Sequence, residues 1–127
     1  MTNQKSASHG AAQRFGSFDE FYPYYLGEHA NATCRALHYI GTSLTFVFLA
    51  LGAFVSPLWL FGMPIAGYFF AWVAHFFVEK NRPATFTYPL WSLRGDYKMY
   101  FSWLTGQLPA QLKAAGITAN TQSHAES

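Results

Sequence analysis

A long stretch without charged side chains constrains this chain more than any other feature. From Ala36 to Val78 the sequence contains no Asp, Glu, Lys or Arg, and apolar residues dominate. One membrane-spanning helix needs about 20 mainly apolar residues, so this stretch is long enough for two. Residues 1–30 are polar or mixed with aromatics, which does not fit a cleavable signal peptide. We therefore predict a small integral membrane protein.

The composition supports this prediction and excludes several other classes. Of the 127 residues, 51% are hydrophobic and only 11% are charged, whereas an ordinary soluble domain carries roughly 25% charged residues. The net charge is only +2 and no run of Lys or Arg occurs, so we expect no nucleic-acid partner. The single cysteine, Cys34, excludes a disulfide framework and a Cys-x-x-Cys zinc or redox motif.

The charge-free stretch divides into two predicted spans, over residues 37–55 and 58–78. Gly52, Ser56 and Pro57 break the pattern between them. Every Lys and Arg lies before residue 36 or after residue 79, so the positive-inside rule places both termini in the cytoplasm. The prediction is a multi-pass protein in the lipid bilayer, with a tight helical hairpin at its centre.

Amphipathic segments flank the hairpin. Ser17 and Glu20 fit a capping box that opens a helix over residues 17–27, whose aromatic stripe suits the membrane interface or packing against the protein. A second amphipathic helix is predicted over residues 90–108. The predicted fold class is an all-α membrane protein, with one domain over residues 15–108 and disordered tails over 1–14 and 109–127. Because two spans bury little surface, we also expect a homodimer.

Helical spacing places polar side chains in one stripe on each span, since residues four apart share a helix face. The stripe of the first span is Asn31, Arg35, His38 and Thr42. The stripe of the second span is Tyr68, Trp72, His75 and Glu79. In a hairpin, the start of the first helix meets the end of the second, so His38 and His75 are expected at similar depth. An ion pair between Arg35 and Glu79 is expected about one turn further out.

The predicted placement of His29 and Cys34 depends on where the first helix begins. In a continuous helix His29 would point away from His38, so it joins the cluster only if the chain breaks between Gly27 and Asn31. Asn31 is a good N-cap, which favours such a break. Cys34 is predicted to point away from the stripe and to be dispensable.

This convergence allows several functions. Imidazole and carboxylate are ligands of non-haem iron and of zinc, and His75 with Glu79 could chelate one ion. The same residues could instead be interface groups that hydrogen-bond lipid headgroups and helix ends. A haem held between His38 and His75, or a non-enzymatic membrane adaptor, are further alternatives.

Two signatures in the sequence resemble those of a known family. They read His29-Ala-Asn31-x3-Arg35-x2-His38-x2-Gly41-Thr42 and Trp72-x2-His75-x3-Glu79-x3-Pro83-Ala84. They are similar to a family of small membrane proteins that includes the fungal 2-hydroxy-fatty-acid dioxygenase of sphingoid-base breakdown. The similarity covers about residues 20–108.

The resemblance implies an Fe(II)-dependent dioxygenase of fatty-acid α-oxidation. Such an enzyme would convert a long-chain 2-hydroxy fatty acid and O2 to an aldehyde one carbon shorter and CO2. The implied metal ligands are His29, His38 and His75, with Glu79 at the acidic position of the second signature. Arg35 is expected to neutralise the substrate carboxylate, and together with Glu79 it forms the predicted catalytic pair. Asn31, Thr42 and Trp72 are expected to support the site.

Overall fold

The computed structural model describes residues 15–117, and every regular element in that range is a helix. The predicted tail over residues 1–14 and the last part of the second tail, residues 118–127, lie outside the described residues. The prediction of an all-α chain with two apolar helices of spanning length is confirmed.

Helix α1, Phe18–Gly27, begins at the predicted capping box. The Ser17 hydroxyl accepts a hydrogen bond from the Glu20 backbone N–H, and the Glu20 carboxylate accepts one from the backbone N–H of Gly16. These contacts satisfy backbone donors that the first helical turn leaves without partners. The aromatic stripe is buried against the rest of the protein. Its members are Phe18, Phe21, Tyr22, Tyr25 and Leu26.

Helix α2, Ala32–Phe54, is the first span. It begins after the predicted N-cap, Asn31, five residues before the predicted start of the apolar span at residue 37. The Asn31 side-chain oxygen accepts from the backbone N–H groups of Thr33 and Cys34. Its C-terminal end is followed by Ser56, whose hydroxyl accepts from the Leu58 N–H and opens the next element.

The second span, Pro57–Glu79, combines three helical types. A 3-10 turn over Pro57–Phe61 leads into α3, Gly62–Val73, and the span ends in a π-helical segment, Ala74–Glu79. Lys80 then adopts the left-handed conformation with φ of 60°, which stops the helix. The wider π turn matters for function because it carries both His75 and Glu79, and such turns frequently occur at functional sites.

The two spans expose large apolar side chains around most of their circumference. Only 22% of the most apolar window of the first span and 17% of that of the second are buried within the protein. Phe54, Phe61 and Phe77 are each at least 70% exposed. A water-soluble monomer rarely exposes contiguous apolar surface on this scale, so the pattern fits helices surrounded by lipid.

Helix α4, Pro89–Leu104, packs across α1 and α2. Its buried face consists of small or slender residues, among them Gly95 and Met99, while Leu93 and Leu104 are exposed. Two hydroxyl contacts tie α4 to the first span: Tyr97 to Thr45 and Tyr100 to Ser43, each at 2.9 Å.

The predicted boundary at residue 108 is wrong, because the chain forms a further short helix, α5, over Leu108–Ala114. Leu108 and Leu112 of α5 are buried, and the Gln111 carboxamide oxygen accepts from the Tyr22 hydroxyl at 2.8 Å. Residues 109–117 are therefore structured, because α5 covers the aromatic side chains of α1. The sequence analysis missed α5 because most residues of this segment are polar or small, although Leu108 and Leu112 are four residues apart and share a helix face.

Candidate metal centre

The turn between α1 and α2 brings His29 over the start of the first span. Helix α1 ends at Gly27 and Asn31 caps the next helix, so the chain breaks where the sequence analysis required it to. The His29 ring stacks on the ring of Tyr25, with centroids 4.1 Å apart. Its Nδ1 atom lies 2.7 Å from the Tyr25 backbone oxygen. These two contacts fix both the position and the orientation of the imidazole.

Three imidazoles from three separate elements meet at one point. The centroid of the His29 ring lies 4.4 Å from that of His38 and 4.5 Å from that of His75, and the His38 and His75 centroids are 5.0 Å apart. The Nε2 atom of His29 lies 3.1 Å from that of His38 and 3.0 Å from that of His75. All three side chains are at most 4% exposed.

The Nδ1 atom of each ring, which points away from the other two rings, lies next to an oxygen atom, and this contact determines the tautomer. The Nδ1 partners are the backbone oxygens of Tyr25 and Cys34 and the Asn81 side-chain oxygen, at 2.7, 2.9 and 2.8 Å. An oxygen acceptor requires the proton to sit on Nδ1, so each neutral ring has an unprotonated Nε2. Burial among the other imidazoles also lowers the pKa of His29 well below its ordinary value, which keeps the ring neutral at pH 7.

Three unprotonated nitrogens that face one another repel unless a cation lies between them. Two nitrogens bound to one ion at about 2.1 Å and at right angles would be about 3.0 Å apart. The Nε2 separations from His29 match this value. Each ring also makes the Nδ1 hydrogen bond that metal-binding histidines usually make to a carbonyl or carboxylate oxygen. The donor set therefore fits a divalent transition metal such as iron or zinc.

The same packing argues against a haem between His38 and His75. The three rings contact each other edge to face, and the His29 ring fills the space next to both of the others. A macrocycle between the two axial nitrogens would have to displace His29 from its stacked position on Tyr25.

Cys34 belongs to the cluster, contrary to the sequence analysis. Its side chain is completely buried, and its Sγ atom lies 3.9 Å from Nδ1 of His38. The four potential ligand atoms of His29, Cys34, His38 and His75 all lie within 4.8 Å of one another. Cys34 precedes His38 by four residues and so shares its helix face, a spacing that would have revealed the contact.

Glu79 and Arg35 stabilise the turn that carries His29, with partners different from those expected. The Glu79 carboxylate accepts from the Asn31 backbone N–H at 2.6 Å. The Arg35 guanidinium donates to the backbone oxygens of His29 and Ala30, both at 2.9 Å. Instead of the expected ion pair with each other, the two side chains make three hydrogen bonds to the backbone of this turn.

The remaining predicted residues differ in placement. Asn31 caps α2 as described, and Thr42 is buried one turn beyond His38. Trp72 is 44% exposed and stacks on Phe86, with centroids 6.0 Å apart, so the prediction that it shares the His75 face is wrong.

Three residues around the histidines were missed by the sequence analysis. Asn81 binds His75 and also donates to the Glu28 backbone oxygen at 3.2 Å. Tyr25 stacks on His29, a contact that their four-residue spacing could have indicated. The Tyr25 hydroxyl donates to Asp96 of α4, a tertiary contact with no local signal in the sequence.

Comparison with known proteins is consistent with this site. The family described as 2-hydroxy-palmitic acid dioxygenase Mpo1-like matches residues 15–108, which include all the residues of the cluster. Comparison with curated proteins and with solved structures gave no significant match. The match extends over most of the chain, and the chain therefore belongs to the Mpo1-like family.

Proposed function

We propose that the protein is an Fe(II)-dependent dioxygenase that shortens long-chain 2-hydroxy fatty acids by one carbon. The observation that carries this proposal is the convergence of three unprotonated Nε2 atoms from His29, His38 and His75 in a buried site. The family match supports the reaction class. We propose these three histidines as the metal ligands.

Bound iron(II) would supply open coordination positions for O2 and for the carboxylate and hydroxyl of a 2-hydroxy acid. The residues of the chain contribute in other ways. Tyr25, Asn81 and the Cys34 backbone oxygen hold the three imidazoles in the tautomer that binds a metal. The buried setting excludes bulk water, which strengthens every charge interaction in the site.

We propose catalytic support from Arg35 and Glu79. Arg35 brings a positive charge to the His29 turn, where a substrate carboxylate would approach the metal. Glu79 fixes the start of α2 through the Asn31 N–H, and thereby the position of His38 two turns later. Cys34 is completely buried beside His38, and we propose that it packs against the cluster while the three histidines bind the metal.

The atom balance of the reaction between the 2-hydroxy acid and O2 restricts which products can form together. Conversion of the 2-hydroxy acid to CO2 and the aldehyde one carbon shorter removes two electrons and two protons. With O2 as the only oxidant, these reduce O2 to hydrogen peroxide. If both oxygen atoms are instead consumed in a four-electron reduction, the balanced products are the acid one carbon shorter, CO2 and water. We propose the aldehyde route, in which both oxygen atoms of O2 leave as hydrogen peroxide. Product analysis separates it from the acid route, in which the oxygen atoms of O2 enter the acid, CO2 and water.

The test uses the full chain, purified in detergent and loaded anaerobically with Fe(II). We expect about one iron per chain, and O2 consumption on addition of 2-hydroxyhexadecanoate together with formation of equal amounts of pentadecanal, CO2 and hydrogen peroxide. Hexadecanoate, which lacks the hydroxyl group, is the matched control and should consume no O2. Stoichiometric iron without any turnover of 2-hydroxy acids would overturn the proposed activity, and a protein that binds no iron would overturn the metal site as well.

A further inference from the structure

A cavity of about 250 Å³ lies between the two spans and α4, outside the histidine cluster. Its walls are mainly apolar. The residues that line it are Thr45, Met63, Pro64, Gly67, Tyr68, Ala71, Thr85, Leu93, Asp96 and Tyr97. None of the metal-binding histidines is among them, so the cavity is a separate feature that the proposed chemistry does not yet use.

The cavity follows the second span for two helical turns. Ala71 and Met63 line its two ends along α3, and eight helical residues correspond to a rise of about 12 Å. Gly67 lies midway between them. A Cβ atom added at Gly67 would meet only the Thr45 methyl group, at an ordinary distance of 3.6 Å, so this position opens into the cavity.

One end of the cavity adjoins the histidine cluster. Ala71 lies one helical turn before His75. Asp96 lines the cavity and also accepts a hydrogen bond from Tyr25, whose ring stacks on His29. The end of the cavity that Ala71 and Asp96 line is therefore the end nearer to the histidine cluster, and the Met63 end lies towards the hairpin turn.

We propose that this cavity binds the first part of the hydrocarbon chain of the substrate, while the polar head of the substrate occupies the histidine cluster. The inference rests on the proposed function for the identity of the head group. The juxtaposition of a polar, metal-binding end and an apolar channel matches the chemistry of an acidic amphiphile. Tyr68 and Leu93 are 42% and 49% exposed, so the wall reaches the lipid-facing surface, where such a chain can enter.

The volume sets how much of the chain the cavity can hold. One water occupies about 30 Å³ in the liquid and a methylene group is of similar size, so 250 Å³ holds roughly eight carbons. The length of about 12 Å along α3 agrees with this number. The cavity is smaller than the pockets of about 300–1,000 Å³ that enclose whole drug-sized ligands, so the far end of a long chain must remain in the bilayer.

Gly67→Leu tests the cavity because its side chain would fill the middle of the channel. Leucine is also a better helix former than glycine, so the substitution does not weaken α3. We expect 2-hydroxydecanoate to bind about tenfold more weakly, while 2-hydroxyhexanoate, whose chain ends before Gly67, keeps its affinity within about twofold. Ile65→Phe, which adds bulk at a 69% exposed position of the same helix, is the control and should change neither affinity. Equal effects of Gly67→Leu on both acids, or no effect on either, would overturn the proposal.

Photolabelling separates this inference from the proposed function. Under anaerobic conditions, 2-hydroxydecanoate with a diazirine at its far end should label the segment from Met63 to Gly67 in phosphatidylcholine nanodiscs. Unlabelled 2-hydroxydecanoate should reduce the labelling, and additional phosphatidylcholine should not. Labelling elsewhere, or labelling suppressed equally by phospholipid, would overturn the cavity assignment even in an active enzyme. Correct labelling of a protein without turnover would overturn the proposed activity alone.

Discussion

The Nε2 atoms of His29 and His75 lie 3.0 Å apart, although 46 residues separate the two histidines in the sequence. Neither residue belongs to the regular part of an α-helix: His29 lies in the turn between α1 and α2, and His75 lies in the π-helical end of the second span. Two irregular segments thus meet around His38, which lies on the regular helix α2.

Replacing any one of the three histidines should empty the metal site. We expect His29→Ala, His38→Ala and His75→Ala each to lower bound iron to about a tenth or less, because loss of one ligand disrupts both geometry and affinity. Membrane insertion should persist, since the spans keep their apolar length. Iron content per purified chain and carbonate extraction of membranes measure the two properties. His9→Ala and His124→Ala are the controls, and full iron occupancy in the His38 and His75 variants would contradict the metal site.

Asn81 should tune metal affinity through His75. Asn81→Ala removes the oxygen that accepts from Nδ1 of His75, and we expect metal affinity to fall by about 10- to 100-fold. Titration with Co(II), followed by its visible absorption, measures the affinity directly. Arg82→Ala changes a neighbouring side chain that contacts Phe86, and it should leave the affinity unchanged. An Asn81→Ala protein that binds Co(II) as tightly as the parent would show that this hydrogen bond does not orient His75.

Cys34→Ser should retain the metal and the activity. Serine is close to cysteine in size and keeps the buried position filled, and metal binding through the three imidazoles does not need the sulfur. The Co(II) form of the parent protein should lack a thiolate-to-metal charge-transfer band, and the serine variant should have the same spectrum. A band that is present in the parent and lost in Cys34→Ser would identify Cys34 as a ligand.

Asp96 should make stability decrease as the pH rises. Burial raises the pKa of this carboxyl from 3.8 to about 7, although the hydrogen bond from Tyr25 acts in the opposite direction. Between these two values the folded state binds more protons than the unfolded state, so the free energy of unfolding falls as the pH increases from about 4 to 7. Asp96→Asn should flatten this dependence. Thermal unfolding of the metal-free protein at pH 5, 6 and 7 tests it, and parallel curves for the two proteins would contradict the shift.

Both termini should lie on the cytoplasmic side of the membrane. The hairpin turn carries no charge and all Lys and Arg residues flank the two spans, so the positive-inside rule favours this orientation. Fusions of alkaline phosphatase and of green fluorescent protein to each terminus report the side. Fluorescence without phosphatase activity is expected at both ends, and phosphatase activity at either end would exclude the hairpin topology.

The sequence alone determined α1, the two spans and the approach of His38 to His75. The charge-free stretch required two spans, and Asn31 with the four-residue spacing of polar side chains predicted the start of α2 and the convergence of His38 and His75. These features are local, because capping and helix periodicity depend on residues at most a few positions apart. The four-residue spacing of Cys34 and His38 is a local pattern of the same kind, but the sequence analysis wrongly predicted that Cys34 points away from the cluster.

The tertiary structure decided the details on which chemistry depends. The π-helical end of the second span, the exposure of Trp72 and the contacts of Asp96 and Asn81 have no signature in the sequence. They arise where segments far apart in the chain pack together, so their geometry depends on the whole set of neighbours. The orientation of Glu79 also depends on tertiary packing. The turn at Asn31 places the Asn31 backbone N–H 2.6 Å from the Glu79 carboxylate, so this carboxylate binds the backbone rather than facing the three imidazoles.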